Sequence, residues 1–142
     1  MTLAVYAKSM HQARGLRHQL GDAVGGIPPL SEMAENGIVW GLGTDASIVS
    51  HYQPFITLGW AVSGMSLAGT KVLDKSVSRD AALIAHARLN SHILFLEDDL
   101  GTLEAGKLAD LVVLDRDYLS VAESDIMGIM TILFDGRRRG GV

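Results

Sequence analysis

A short apolar run at residues 38–42, followed at once by the polar turn sequence Gly43-Thr44-Asp45, is the feature that most limits the fold of this chain. The run is nearly continuous and rich in β-branched and aromatic residues. Strands buried on both faces of a parallel sheet have this composition, whereas strands with one face in water alternate between apolar and polar residues. The run therefore predicts a buried strand in an α/β protein.

Composition supports one globular core and excludes several classes of function. The chain has 142 residues, 48% hydrophobic and 20% charged, which is enough apolar material for a single core. Its 12 Lys and Arg residues against 16 Asp and Glu residues leave a net charge of −4, which argues against a nucleic-acid partner. The absence of cysteine excludes disulfides, thiolate metal sites and thiol nucleophiles. No run approaches the ~18 apolar residues of a membrane span, and the N-terminal region lacks the apolar stretch of a signal peptide, so we expect a cytoplasmic protein without membrane contact.

The remaining periodicity alternates between helix and strand, as α/β proteins do. Ser78 is a candidate N-cap for the helix with the strongest helix-forming composition. Asp135-Gly136 is a dipeptide typical of hairpin turns and predicts a returning strand. The pattern predicts helices over residues 3–20, 30–36, 54–64 and 79–95, and further strands over residues 109–115 and 129–134.

Asp45 is the candidate catalytic residue that the residue pattern itself singles out. Residues 41–46 formally satisfy the dinucleotide pattern G-x-G-x-x-A, but a pyrophosphate would face the Asp45 carboxylate, and no Asp or Glu occurs between Asp45 and Asp74 to bind a ribose. A carboxylate at the carboxyl end of a buried strand occupies the place where barrel enzymes position catalytic groups, and there it can bind a metal or accept a proton. A turn-forming or helix-capping Asp is the alternative on spacing alone.

The histidines form no sequence motif that by itself predicts metal binding. None belongs to an H-x-H pair or an H-E-x-x-H set. His11 and His18 are two helical turns apart, and His86 and His92 are about 120° apart around a helix, so neither pair makes a good two-point metal grip. His51, six residues after Asp45, could reach the same site, although a plain loop histidine is the commoner case. The full set is His11, His18, His51, His86 and His92.

From about residue 27 onward, the order of motifs resembles the C-terminal part of the amidohydrolase superfamily, and within it the N-substituted formamide deformylase-like proteins. Residues 41–46 are similar to the motif of the eighth barrel strand, and residues 28–38, 54–69 and 78–83 resemble the helices around it. The most specific match is residues 100–115, which are similar to the signature L-G-S-L-E-P-G-K-L-A-D-L-V-V-L-D with Ala105 in place of proline. Residues 135–137 resemble the hairpin that closes the family's small sandwich.

The resemblance implies a piece of a larger α/β enzyme. Residues 1–99 would be the C-terminal part of a (β/α)8 TIM barrel, with its last strand and following helices, and residues 100–142 part of a composite β-sandwich domain. In such a hydrolase Asp45 would be a ligand of a divalent metal, zinc by preference, and would accept a proton from the attacking water. The substrate would be a small molecule with a carbon–nitrogen bond other than a peptide bond, such as an amide or formamide.

The same resemblance implies that the metal site needs residues from elsewhere. A catalytic zinc usually takes three protein ligands, and one carboxylate cannot hold it. We therefore expect the isolated chain to be inactive, and to dock onto a separate N-terminal piece or to self-associate. The alternative is a non-catalytic α/β module that acts only through such association; metal binding and the effect of Asp45→Asn distinguish the two.

Overall fold

The computed structural model of the protein describes residues 18–19, 21–26, 28–44 and 51–136. The predicted helix over residues 3–20 lies outside this part of the chain except for residues 18 and 19, which are helical. The returning strand expected after Gly136 also lies outside it.

The described residues form an α/β structure of four α-helices, two short 3₁₀ helices and one two-stranded sheet. None of these helices is long and apolar enough to cross a membrane. Apart from the strand over residues 38–42, the helices and strands predicted from residue 30 onward are present with shifted bounds, and the helix over residues 79–95 is divided in two. In chain order the elements are a 3₁₀ helix at Gly21–Gly26, α1 at Leu30–Glu35, α2 at Pro54–Ser63, α3 at Arg79–His86, α4 at Arg88–Ile93, β1 at Leu111–Leu114, a second 3₁₀ helix at Glu123–Gly128, and β2 at Thr131–Asp135.

Helix α2 forms the centre of the core. It begins with a proline at its first position, where no backbone N–H is needed, and ends at Gly64 in the left-handed conformation with φ 70°. Every residue from Phe55 to Val62 is buried. A helix that is covered on all sides must lie inside the structure, so the other elements pack around α2.

The layers around α2 come from distant parts of the sequence. Three side chains that are at most 1% exposed belong to the same cluster: Leu30 of α1, Leu73 of the loop that follows α2, and Ile126 of the second 3₁₀ helix. Gly59 allows the second 3₁₀ helix to approach closely, because a Cβ atom there would lie 2.5 Å from Cγ of Met127. Residues on both sides of the predicted 99/100 domain boundary thus share this core, while the boundary itself stays a prediction.

The predicted strand over residues 38–42 is wrong for the described structure, which has no strand there. Trp40 and Leu42 are buried, but Ile38 and Val39 are half exposed. The backbone N–H groups of Ile38 and Leu42 donate to helix carbonyls, those of Met33 (3.0 Å) and Ala85 (3.3 Å), instead of to a neighbouring strand. A strand requires a ladder partner, and the described residues provide none beside this segment, so it lies as irregular chain on the helices.

The predicted helix over residues 79–95 begins where expected but is interrupted. The Ser78 side chain accepts a hydrogen bond from the backbone N–H of Ala81 at 3.1 Å, which confirms the N-cap. At Ala87 the backbone turns to φ −111° and ψ −78°, and this divides the region into α3 and α4. Local propensity favours one continuous helix here, since alanine, leucine and arginine are strong helix formers. The break accompanies a tertiary contact of α4 that the helix pattern does not encode.

The predicted strands near the C-terminus pair as an antiparallel ribbon. Val112 lies opposite Phe134 and Val113 opposite Leu133, with an irregularity in register between Val113 and Leu114. All residues of β2 are exposed, and so are the first three of β1. Two-stranded ribbons are marginally stable without further packing, so this ribbon is the least covered element of the described chain.

The turn after α2 provides a test of the central packing with a matched control. Gly64 and Gly69 both have positive φ (70° and 73°), but a Cβ atom at Gly64 would lie 2.3 Å from the carbonyl oxygen of Leu73, whereas Gly69 has nothing within 4 Å. We expect Gly64→Ala to lower the free energy of unfolding by about 3 kcal/mol, from backbone strain plus crowding, and Gly69→Ala by about 1 kcal/mol from strain alone. Urea denaturation of both variants measures the difference; equal losses would contradict the packing described here.

Candidate functional site

The predicted catalytic residue, Asp45, lies outside the described residues. The structure does describe the segment at residues 40–44 that leads into it, and the helices against which this segment packs. Gly41 and Leu42 are buried, and Gly43 and Thr44 are partly buried. The chain therefore enters the Asp45 position from an anchored stretch of backbone.

Asn90 of α4 provides the side-chain anchor of this segment. Its amide nitrogen donates to the carbonyl oxygen of Leu42 at 2.7 Å and to that of His86, one turn earlier on the helix, at 2.9 Å. The two amide hydrogens of one side chain thus join the segment before Asp45 to the junction of α3 and α4. A backbone bond from Leu42 N–H to the Ala85 carbonyl, at 3.3 Å, adds a second attachment.

Gly41 makes the close approach of Asn90 possible. A Cβ atom at this position would lie 2.0 Å from Oδ1 of Asn90 and 2.9 Å from Cδ1 of Ile93. No side chain larger than hydrogen fits there unless the side chains of Asn90 and Ile93 move. The glycine that the sequence places in a phosphate-binding pattern therefore has a packing role in this structure.

His86 lies one helical turn before Asn90. Its side chain is partly buried, and the loss of solvation of the charged form lowers its pKa below 6.5. A neutral His86 is consequently the form that the fold favours. Its carbonyl, and not its ring, makes the recorded contact with Asn90.

The other described histidines do not converge on a site. His51 is exposed and its ring stacks on Tyr52 with centroids 5.0 Å apart. The Nδ1 atom of His92 lies 3.1 Å from a carboxylate oxygen of Glu97 at an exposed position. His18 is exposed, and His11 lies outside the described residues.

The described residues do not fit a catalytic metal by themselves. Within the ranges 18–19, 21–26, 28–44 and 51–136, no group of three or more His, Asp or Glu side chains could hold a metal ion. Asp45 lies outside these ranges. The donor set that a catalytic zinc requires is therefore not assembled by the described side chains.

The signature at residues 100–115 has a structural role. Lys107 is nearly buried and donates to the Glu97 carbonyl at 2.7 Å and to the Thr102 hydroxyl at 2.9 Å. Gly101, with φ 92°, lies so close to α4 that a Cβ atom would be 2.2 Å from the Ser91 hydroxyl. The glycine thus brings this loop against α4, the helix that also anchors residues 40–44, while the lysine joins the loop to Glu97 in the turn that follows α4.

Asn90 is the residue that sequence reasoning missed. It lies inside the predicted helix, although asparagine is a poor helix former. An asparagine at such a position was the available signal that its side chain makes a tertiary contact. Gly41 lies in a formal dinucleotide pattern that the nearby Asp45 carboxylate argues against. Its short distance to Asn90 depends on how α4 packs, which no local pattern contains.

Comparison with known proteins extends over nearly the whole chain. The sequence pattern of the amidohydrolase family matches residues 2–138. The chain is 29% identical over 97 residues to S-triazine hydrolase from Gordonia rubripertincta, which covers 63% of the chain and 19% of that enzyme. It is also 29% identical over 105 residues to N-substituted formamide deformylase from Arthrobacter pascens, covering 73% of the chain and 19% of that enzyme. The chain thus spans about a fifth of the length of these relatives. No solved structure matches it significantly.

A double-mutant cycle tests the contact between Gly41 and Asn90. We expect Gly41→Ala to lower the free energy of unfolding by about 2 kcal/mol, because its Cβ meets the Asn90 amide. In an Asn90→Ala background the same change finds space and should be nearly neutral, a coupling of about 1–2 kcal/mol. Asn36 is the matched control, because its amide donates to the carbonyl four residues earlier, that of Glu32, at 2.7 Å, on an exposed helix end. Additivity of Gly41→Ala with Asn90→Ala, as with Asn36→Ala, would contradict the contact.

Burial of His86 predicts a pH dependence of stability. Because the folded pKa lies below 6.5, the unfolded chain binds more protons, and the free energy of unfolding should fall as the pH is lowered from 6.5 toward the folded pKa. His86→Gln should remove this part of the slope, whereas His51→Gln, at an exposed position, should retain it. Urea denaturation at a series of pH values measures both; an unchanged slope in His86→Gln would show that another group carries the effect.

Proposed function

The chain belongs to the amidohydrolase family, and from that membership we propose that it is the C-terminal piece of a metal-dependent hydrolase acting on carbon–nitrogen bonds other than peptide bonds. The observation that carries the proposal is the family match over residues 2–138. The two curated relatives, of which the chain spans about a fifth, support a reading as part of a longer enzyme.

The proposed substrate is a small molecule of the amide or formamide type. One relative is named for hydrolysis of an s-triazine and the other for deformylation of an N-substituted formamide. Both names describe hydrolysis of a compound in which carbon is bonded to nitrogen. We assign the same broad class of bond to the complete enzyme of which this chain would be part.

We propose that this chain contributes Asp45 to catalysis. We assign it to the metal, as one ligand, and to the attacking water, as the base that takes its proton. A bound divalent ion, zinc by preference, would polarise the substrate carbonyl and acidify that water. The anchored segment at residues 40–44 supports this assignment, because a residue that must meet both a metal and a water needs a fixed backbone.

The remaining metal ligands would come from chain upstream of this piece. One carboxylate is too few for a catalytic zinc, and the described residues assemble no further donor set. We therefore propose that the 142-residue chain is inactive alone and needs the N-terminal portion of the enzyme as its partner.

The architecture we propose for the complete enzyme divides this chain at residue 99. Residues 1–99 would close the TIM barrel, and residues 100–142 would complete a β-sandwich with strands from the other end of the protein. The β1–β2 ribbon supports this placement, because its apolar side chains, such as Val112, Leu133 and Phe134, are at least half exposed. Additional strands would cover them and pair the edges of the ribbon.

Extension of the chain tests the proposed function. We would read the gene upstream of codon 1, express the longer polypeptide, and measure bound zinc and hydrolysis of an N-substituted formamide. The extended protein should bind metal and hydrolyse the compound, and Asp45→Asn should lower kcat by at least about a hundredfold, as expected for loss of a proton-transfer group.

Asp98→Asn is the matched control, since it removes an exposed carboxylate of the described chain. It should leave both metal content and kcat unchanged. Full activity of Asp45→Asn would refute the assignment of this residue. An extended protein that binds no metal and hydrolyses no carbon–nitrogen bond would favour a non-catalytic module.

A further inference from the structure

Asn36 and Gly37 form the only Asn-Gly pair in the sequence, and they lie at the end of α1. In this dipeptide the asparagine side chain is most readily attacked by the backbone nitrogen that follows it, because glycine has no side chain to hinder the approach. The second asparagine of the chain, Asn90, is followed by serine. The chain therefore contains one asparagine in the context that favours this reaction and one that serves as an internal comparison.

The two asparagines have opposite surroundings in the structure. Asn36 and Gly37 are exposed, and a Cβ atom built on Gly37 would meet nothing within 4 Å. Asn90 is half-buried, and its amide nitrogen donates to two carbonyl oxygens, those of Leu42 and His86. The backbone thus has room to rearrange at Asn36, whereas Asn90 is held in a packed contact.

Hydrogen bonds at the end of α1 engage both reacting groups while the helix is closed. The backbone N–H of Gly37 donates to the Ala34 carbonyl at 3.2 Å, and the next N–H along the chain donates to the carbonyl five residues before it at 3.0 Å. With Gly37 at φ 64°, this pair of bonds is the Schellman motif. The Asn36 amide nitrogen donates to the Glu32 carbonyl at 2.7 Å. The nitrogen that must attack and the amide group that must leave are therefore both held by this cap.

The cap belongs to a helix that opens at low cost. Helix α1 is six residues long, and its N-cap residue, Pro29, makes no side-chain hydrogen bond to the helix. Isolated helices of this length are unstable in water, so α1 depends on the burial of Leu30 and Met33. Its last two residues are exposed. The C-terminal end of α1 therefore opens without bringing a core side chain into water.

We propose that Asn36 is a site of spontaneous deamidation, which proceeds when the C-terminal cap of α1 opens. The backbone nitrogen of Gly37 forms a bond to Cγ of Asn36, the bond from Cγ to Nδ2 breaks, and Nδ2 leaves as ammonia with the proton that the backbone nitrogen gives up. Water, the only co-reactant, then opens the cyclic succinimide at either carbonyl group and returns a proton to the Gly37 nitrogen. Opening at Cγ gives aspartate. Opening at the backbone carbonyl gives isoaspartate, in which the main chain runs through the former side chain.

Deamidation changes the connection between α1 and the segment at residues 40–44. The product lacks the amide that donates to the Glu32 carbonyl. It places a carboxylate at the C-terminal end of the helix, where the helix dipole disfavours negative charge. Isoaspartate also lengthens the main chain by one methylene group just before residues 38–44. The modification therefore loosens the stretch of backbone that leads to Asp45.

Incubation of the purified 142-residue chain at mildly alkaline pH, followed over time by peptide mapping with mass spectrometry, tests the site. The peptide with Asn36 should gain the mass of an amide replaced by an acid and separate into aspartate and isoaspartate forms, at least about ten times as fast as the peptide with Asn90 reacts. A synthetic peptide of residues 30–42 should react faster than the folded chain, because it lacks the closed cap. Equal rates for the two asparagines would overturn the site, and equal rates for the peptide and the folded chain would overturn its control by the cap.

Gly37→Ala and Gly69→Ala make the test specific. Both glycines have positive φ, 64° and 73°, and a Cβ atom on either would meet nothing within 4 Å, so the two substitutions introduce similar backbone strain without a clash. Gly37→Ala should slow the reaction of Asn36 by at least about tenfold, because the methyl group hinders the attacking nitrogen, whereas Gly69→Ala should react like the wild type. The deamidated chain, separated by ion exchange, should have a Tm about 3 °C below that of the unmodified chain. An unchanged rate in Gly37→Ala, or a Tm unaffected by deamidation, would contradict the proposal.

Discussion

The burial of α2 on every side is the constraint on which the rest of the structure depends. Its sequence is apolar around its whole circumference, so no face can be left in water without a large loss of hydrophobic stabilisation. It is covered by α1, the loop through Leu73 and the second 3₁₀ helix, which are far apart in the chain. The hydroxyl of Thr57 and the indole N–H of Trp60 are buried without a hydrogen-bond partner in the described structure. Hydrophobic burial thus outweighs the cost of two orphaned polar atoms.

The candidate site depends on this core indirectly, through α3 and α4. Helix α3 packs on α2 through Ala82 and Ala85, and the break at Ala87 then turns α4 toward the segment before Asp45. Asn90 and Gly41 complete the contact. Gly101 brings the loop of residues 100–115 against Ser91 of the same helix, so α4 contacts residues on both sides of the proposed 99/100 boundary.

Sequence reasoning located most elements because their signals are local. The Ser78 cap, the proline that opens α2 and the glycine that closes it act within a few residues, and each is present in the structure. The strand over residues 38–42 and the uninterrupted helix over residues 79–95 were wrong because a strand needs neighbours and a helix break can come from tertiary contacts. Asn90 shows the same limit at the level of a single residue: its role depends on what α4 packs against. Asp45 lies outside the described residues, and its proposed role stays a prediction.

The central claim is that this chain provides a scaffold and one carboxylate ligand, while the rest of the metal site lies elsewhere in the enzyme. Isothermal titration of the purified 142-residue chain with Zn²⁺ tests it most directly. We expect no tight, stoichiometric binding of zinc, and we expect the wild type and Asp45→Asn to give the same titration curve. One tightly bound equivalent that Asp45→Asn abolishes would contradict it, because the chain would then hold a complete site of its own.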